Sequence, residues 1–367
     1  MEKVVFAGSF DSLTNDYLVV IQEGVEIPNK IVVLVAKNKQ TNKNSFSDQE
    51  RKDMVVQSYK EHGIYDQVEV HILDNEYLAK KSLQIGASHL IRRIRSATDY
   101  DYESLIQKTN TDILNGAKTI FVMPPRELET VSSSFIKSLM ETIGWYWTIK
   151  QFVPNAVYVK ILENFVRKLS KKYIQHEGLD DFLDLVITNY SKKDRHYHNL
   201  EHIVHCLQEM EWLQKNKKVI LDYEQLCIAI LSHDIIYGKK GDKSDEVLSA
   251  ELILKYFGNK YLVANDLVLS TQHFKNISTT IDMKIMKDID LAILGQDWKI
   301  YNIYTENIRK EYSSFSLDEY TLGRIKVVSS FLGKEKIFDS DIFNHYELIA
   351  RENLKKELNN LERVAKK

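Results

Sequence analysis

The sequence predicts two folds in series, an α/β doubly wound parallel sheet followed by an all-α domain, and three observations carry that reading. In the first half, short β-branched runs alternate with amphipathic helical stretches, the rhythm of parallel strands joined by crossover helices. After about residue 155 the strand-like runs stop, and amphipathic helices joined by short polar segments take over. Histidine use changes too: eight of eleven lie beyond residue 170, four of them in RHYHNLEHIVH, so imidazole chemistry is concentrated in the helical half.

The strands are expected at VVFA (4–7), IVVLVA (31–36), VEVHIL (68–73), HLIRRI (89–94) and TIFVMP (119–124). After the first comes GSFDSLTNDYL, a glycine-opened turn into a helix, where backbone N–H groups gather to hold a phosphate. After the second comes a basic polar loop, KNKQTNKNSF, then a capping box from Ser47 to Glu50 that starts a helix. The fourth strand sends Arg92 and Arg95 outward ahead of a helix over DYDYESLIQKTNTDIL (99–114). The fifth leads to PPRELETVSSSFIK, with three serines at a helix start. Ligands of such sheets bind beyond the carboxyl ends of the strands, so these loops are where a site is expected. The boundary is expected near the lysine-rich SKKYIQHEG, giving domains 1–168 and 169–367. We find no internal repeat.

Composition narrows the function classes. With 44% hydrophobic residues, 28% charged and four prolines, 367 residues suffice for two cores and leave no long disordered tail. A net charge of −2 gives no global attraction to nucleic acid or an anionic membrane, so neither is an expected partner and phosphate binding is local. MEKVVFAGS lacks the basic and apolar regions of a signal peptide, and no apolar run approaches the ~20 residues that span a bilayer. Cys206 and Cys227 sit in apolar helical patterns, as reduced core thiols do. A cytoplasmic protein is expected.

The first half resembles phosphopantetheine adenylyltransferase, a nucleotidylyltransferase with a T/HxGH turn, through GSFD, SFSDQER, IRRIRSATDYDYE (the family has R-G-L-R, then D-F-E-Y-E), VSSSFIK and QFVPNAV, over about residues 3 to 165. The resemblance implies transfer of AMP from ATP to 4′-phosphopantetheine with Mg²⁺, giving dephospho-coenzyme A and pyrophosphate, and a homo-oligomer. It implies that Ser9, Lys43 and Arg92 face phosphopantetheine. Ser9, Phe10, Tyr17, Arg95, Glu103, Ser132, Ser133 and Ser134 would face the nucleotide. The family's T-N-G-H is Thr14-Asn15-Asp16-Tyr17 here, and an aromatic-Ser pair before the serines is Leu128-Glu129. Tyr17 lacks the charge of an imidazolium, and Asp16 would set a carboxylate against a polyphosphate. Losing one such donor typically costs ~100- to 1000-fold in rate. Binding with impaired adenylyl transfer is therefore expected.

In the second half, His198 and His202 are expected one turn apart on a helix starting near Asn199, and His233-Asp234 ends the apolar stretch CIAILSHDIIYG. Asp290 lies in another apolar run; such groups are costly to bury unless paired or metal-bound. Imidazoles with carboxylates suit Mn²⁺, Fe²⁺, Co²⁺, Ni²⁺ or Mg²⁺. RHYHNLEH, SHD and DIDLAILG together resemble the HD superfamily of metal-dependent phosphohydrolases, over roughly residues 172 to 360. That resemblance implies His202, His233, Asp234 and Asp290 as metal ligands and His198 as the acid that protonates the leaving oxygen. Arg195 and His196 are candidates for binding substrate phosphate, His273 for a second metal or a contact behind the ligands, and Asp245 and Glu246 for orienting water. The expected function is a metal-dependent hydrolase of a nucleotide or other small phosphoester with a domain binding ATP- or coenzyme A-type ligands. A bifunctional coenzyme A pathway enzyme and a non-catalytic nucleotide sensor are the alternatives.

Overall fold

The computed structural model describes residues 3–26, 30–37, 45–74, 76–114, 117–216, 219, 221–238, 242–272 and 280–366. The chain divides into two compact units, Met1–Ile161 and Leu162–Lys367. In the first unit the strands are β1 (Lys3–Gly8), β2 (Lys30–Ala36), β3 (Val68–Leu73), β4 (Ala87–Arg93) and β5 (Lys118–Val122). They form one parallel sheet, as the sequence predicts, and its strand order is β3-β2-β1-β4-β5. Between and after them run α1 (Asn15–Glu26), α2 (Asp48–Glu61), α3 (Leu78–Ile85), α4 (Ala97–Leu114), α5 (Ser133–Leu139) and α6 (Trp145–Ile149).

The central strands are apolar on both faces because helices cover both: Ile31 through Val35 are all fully buried. The Ser47 side chain accepts from Glu50 N–H and the Glu50 carboxylate answers at the Ser47 backbone, so the capping box starts α2 where expected. One turn on, the buried guanidinium of Arg51 pairs with Asp48 and donates to the carbonyls of Ser9 and Ala36. It thereby fastens α2 to the chain just beyond β1 and to the end of β2. The strand order reverses between β1 and β4, and the crevice there is where such sheets hold ligands.

Helix α7 (Asn155–Tyr173) carries the chain into the second unit, which consists of α8 (Leu179–Tyr190), α9 (Leu200–Asn216), α10 (Tyr223–Ser232), α11 (Asp245–Phe257), α12 (Leu262–Ser270), α13 (Ile281–Leu291), α14 (Trp298–Glu311), α15 (Leu317–Leu332) and α16 (Asn344–Ala365), with short 3₁₀ turns. Its core is a continuous apolar interior; α10 is buried from Gln225 to Ser232. Gly295, closing DIDLAILG, lies where Tyr346 packs so closely that a Cβ would collide with it. Among the described residues no helix is long and apolar enough to cross a membrane.

Candidate functional site

The turn after β1 sits at the switch point. Phe10 is fully buried with φ of 50°, a conformation non-glycine residues seldom hold, and its ring lies against Gly8, Phe6 and Tyr17. Asn15 ties the turn to the end of the unit, its N–H donating to Phe152 O at 2.9 Å and its side chain to Gln151 O at 3.0 Å. The structure corrects the expectation that Asp16 opposes a bound polyphosphate. Its carboxylate is completely buried, accepts from the Thr14 hydroxyl and forms an ion pair with Arg93 at the end of β4. The same guanidinium lies 4.2 Å from the centre of the Tyr17 ring. Burial pushes the Tyr17 phenol above its ordinary pKa, against the pull of Arg95 and Arg92, so it stays neutral.

Arg93 escapes a reading that follows Arg92 and Arg95. The available signal is that RRIR places an arginine where the resembled R-G-L-R has glycine. Arg92 and Glu103, expected on different ligands, hold each other through two hydrogen bonds of 2.5 and 2.6 Å. Arg95 pairs with Asp99 at 2.9 Å. Ser132 caps α5, accepting from Phe135 N–H; Ser133 donates to Ser12 O at 3.0 Å; Ser134 and Ser9 are exposed. Asp11, not singled out in the sequence, is buried, pairs with Lys137 and accepts from Ser45 and Phe46 N–H, tying the turn to the start of α2 and to α5. Lys43 lies outside the described residues.

In the second unit, α9, the end of α10 and α13 bring four expected residues together. His202 Nε2 and His233 Nε2 are 3.0 Å apart. Asp290 Oδ1 is 3.3 Å from the first and 3.5 Å from the second; Asp234 Oδ2 is 3.7 and 3.1 Å away from them. Ligands held about 2.1 Å from one ion lie roughly 3.0–3.4 Å from each other; the 3.0, 3.1 and 3.3 Å separations fall in that range and the 3.5 and 3.7 Å ones beyond it. Burial disfavours charge on every group here, yet the His233 imidazole, followed by His198, holds the Asp234 carboxyl well below its usual range. Cys206, expected only as a core thiol, joins the group from one turn along α9: its Sγ is 3.8 Å from the His202 nitrogens, and His202, Cys206, His233 and Asp290 form a buried cluster able to hold a metal ion. The i, i+4 spacing of His202 and Cys206 was the signal for this.

His198 departs from expectation. Asn199 caps α9, its Oδ1 accepting from Glu201 and His202 N–H at 2.9 and 3.4 Å, so the helix starts at Leu200 and His198 sits in the turn before it. What holds the ring is Glu311, at the end of α14: its carboxylate lies 2.7 Å from His198 Nδ1 and accepts from the N–H groups of Tyr197 and His198 at 2.7 and 2.9 Å. The Tyr237 ring stacks on the imidazole at 4.2 Å. Burial alone would lower the His198 pKa; Asp234 and Glu311 outweigh it and raise it. Arg195 has a job other than meeting a phosphate. It is buried and donates to the carbonyls of His198, Asp234 and Ile235 at 3.1, 2.6 and 2.9 Å, clamping the two motif segments together. His196 is half-buried, its carbonyl accepting from Asn199. His273 lies outside the described residues.

A cavity of about 590 Å³ opens beside this cluster, with His198, Asp234 and Asp290 in one wall and Asp245 and Glu246 from the start of α11 close by. Asp245 Oδ2 accepts from Gly238 N–H at 2.6 Å.

The first unit's parallel sheet, with a glycine-opened turn at its switch point, is that of a Rossmann-like α/β domain. The N-terminal stretch is similar to the phosphopantetheine adenylyltransferase of Chromobacterium violaceum, at 34% identity over 165 residues, 45% of this chain and 98% of that one. It is likewise 34% identical over 160 residues to that of Neisseria meningitidis serogroup C (44% and 92%) and 35% over 170 residues to that of Dictyoglomus thermophilum (45% and 96%). Through this stretch the chain belongs to the phosphopantetheine adenylyltransferase family. No family model matches the chain.

Proposed function

We propose that the helical unit is a metal-dependent phosphohydrolase of the HD type, and that the adenylyltransferase-like unit holds an ATP- or phosphopantetheine-type ligand with little adenylyl transfer. The observation that carries the first part is the convergence of His202, His233, Asp234 and Asp290, of which the two carboxylates line a cavity that His198 also lines. These four would hold a divalent ion such as Mn²⁺, Fe²⁺, Co²⁺, Ni²⁺ or Mg²⁺. Such an ion supplies Lewis acidity toward a phosphoryl oxygen and acidifies a water.

The chain's own residues do the rest. Glu311 is held ionised, its carboxyl lowered by His198 despite burial, so it accepts a hydrogen bond from His198 Nδ1–H and leaves Nε2 facing the cavity. From there Nε2–H protonates the departing oxygen. Hydrolysis breaks the ester P–O bond, joins the oxygen of water to phosphorus and leaves an alcohol and inorganic phosphate. Arg195 keeps the His198 and Asp234 segments in register, and Asp245 and Glu246, in the lining of the same cavity, orient water. The test is metal analysis with a phosphoester panel on the wild type and His233→Ala. We expect a bound transition metal and phosphate release in the first, and at least a ~100-fold loss of both readouts in the second. Absence of metal and of phosphatase activity under Mn²⁺, Co²⁺ and Ni²⁺ sinks the reading.

The second part rests on the Asp16–Arg93 pair. It fills the room that glycines leave in the resembled T-N-G-H and R-G-L-R segments, and Arg93 is engaged by Asp16 and Tyr17. The similarity to phosphopantetheine adenylyltransferases supports ATP- and phosphopantetheine-type ligands for this unit, with Mg²⁺ accompanying ATP. Family membership favours one rival, a bifunctional coenzyme A pathway enzyme; pyrophosphate release from ATP plus phosphopantetheine at rates like those of the family would establish it.

A further inference from the structure

Cys206 gives the His/Asp cluster a donor of a different kind. The residue has no exposed surface, and its Sγ lies 3.8 Å from both ring nitrogens of His202, one turn back along α9. One donor atom each from His202, Cys206, His233 and Asp290 fall within 4.8 Å of one another. A nitrogen and a sulfur ligand held about 2.1 and 2.3 Å from one ion lie roughly 3.6 Å apart, a separation the His202–Cys206 pair approaches. The i, i+4 spacing on one helix keeps both side chains on the same face. His233 is prepared from the other side. Its Nδ1 lies 2.8 Å from the carbonyl of Ile230, so that nitrogen carries the proton and Nε2 turns its lone pair to the cluster.

The cluster has a back and a front. His202, Cys206 and His233 are almost wholly buried, whereas Asp234 and Asp290 keep some exposure and line the cavity. An ion among them meets two imidazoles and a sulfur on the protein side and carboxylates on the cavity side. Donor chemistry then decides which ion is held. Carboxylates and imidazoles alone accept Mg²⁺ or Mn²⁺, whereas a thiolate favours softer ions of the Zn²⁺, Co²⁺ and Fe²⁺ kind. We propose that Cys206 is a metal ligand in this chain and tunes the centre to Zn²⁺, Co²⁺ or Fe²⁺ over Mg²⁺ and Mn²⁺. On ligation the S–H bond breaks, the proton leaves to solvent, and the sulfur electron pair forms the bond to the ion. This rests on the metal centre of the phosphohydrolase reading above and adds a sulfur to the four ligands proposed there.

The experiment strips the full chain of metal with a chelator, loads it with Co²⁺ and reads the absorption spectrum. Calorimetric titrations with Co²⁺ and Mn²⁺ and phosphate release from the phosphoester panel accompany it. Cobalt is the probe because a Co²⁺–thiolate bond adds a near-ultraviolet charge-transfer band that nitrogen and oxygen ligands do not give. We expect that band in the wild type and in Cys227→Ala, which changes the buried thiol of α10, and its loss in Cys206→Ala. Cys206→Ala should also weaken Co²⁺ binding about 10-fold or more and Mn²⁺ binding no more than about 2-fold. Equal weakening of both ions would make Cys206 a packing residue and overturn the assignment. Co²⁺ held by the wild type without the band overturns it as well, with no variant needed, and phosphate release in that case leaves the hydrolase standing. A band lost with Cys206 but no phosphoester cleaved supports the assignment and removes the hydrolase. Uptake of neither ion overturns both.

Discussion

At the scale of single residues, the first unit turns on one buried ion pair. Asp16 has no exposed surface, and Arg93 meets both its carboxylate and the Tyr17 ring. Breaking a buried pair by removing one partner leaves an uncompensated charge, at ~3–5 kcal/mol. Arg93→Ala should lower the unfolding free energy by that amount in urea titrations. The double change Asp16→Gly, Arg93→Gly should restore most of it, because it removes the charge together with its partner. Additive losses would show that the two are not coupled. The sequence displayed Asp16 and Tyr17 as departures but could not show that Arg93, far along the chain, answers them. Contact between the start of α1 and the end of β4 is a tertiary fact.

At the scale of elements, function depends on what a helix end delivers. The sequence placed His198 on a helix with His202; the structure makes it a turn residue whose ring is held by Glu311, the last residue of α14. The neutral variant Glu311→Gln keeps the shape but removes the charge that fixes the imidazole as donor. We expect kcat for phosphoester hydrolysis to fall about 10- to 100-fold with KM within about 2-fold. Equal losses of both would mean Glu311 only supports the fold. Periodicity made the five strands and α9 legible to within a residue or two, since each is written locally. Glu311 was illegible because it is more than a hundred residues from its partner and sits in an ordinary charged stretch, ENIRKEY.

At the scale of the molecule, both proposed activities belong to separate compact units, and stability is shared by groups outside either site. Glu209 on α9 is such a group. It is buried and accepts from Tyr346 OH at 2.8 Å, and burial lifts its carboxyl from 4.5 to about 7 against that hydrogen bond. Between those values the folded chain keeps a proton that the unfolded chain has released, so stability falls as pH rises through the window. Glu209→Gln retains the acceptor without the charge. It should gain up to ~3 kcal/mol over the wild type at pH 8 and almost nothing at pH 4, read from thermal or urea unfolding at both pH values. A pH-independent difference would assign its effect to packing.

By itself the sequence determined the order of elements, the parallel sheet and the all-helical second half, because hydrophobic period, capping and turn chemistry act over a few residues. It also singled out His233, Asp234 and Asp290 as ionisable groups inside apolar helical runs, and the resemblance to the HD superfamily added His202 to them. Only the tertiary structure decided which charges face a ligand and which face each other. It turned Asp16 inward onto Arg93, engaged Arg195 with backbone carbonyls, brought Cys206 beside His202 and Glu311 beneath His198. The physical reason is that a buried charge is stabilised by partners the fold supplies at a distance, and no local pattern specifies them.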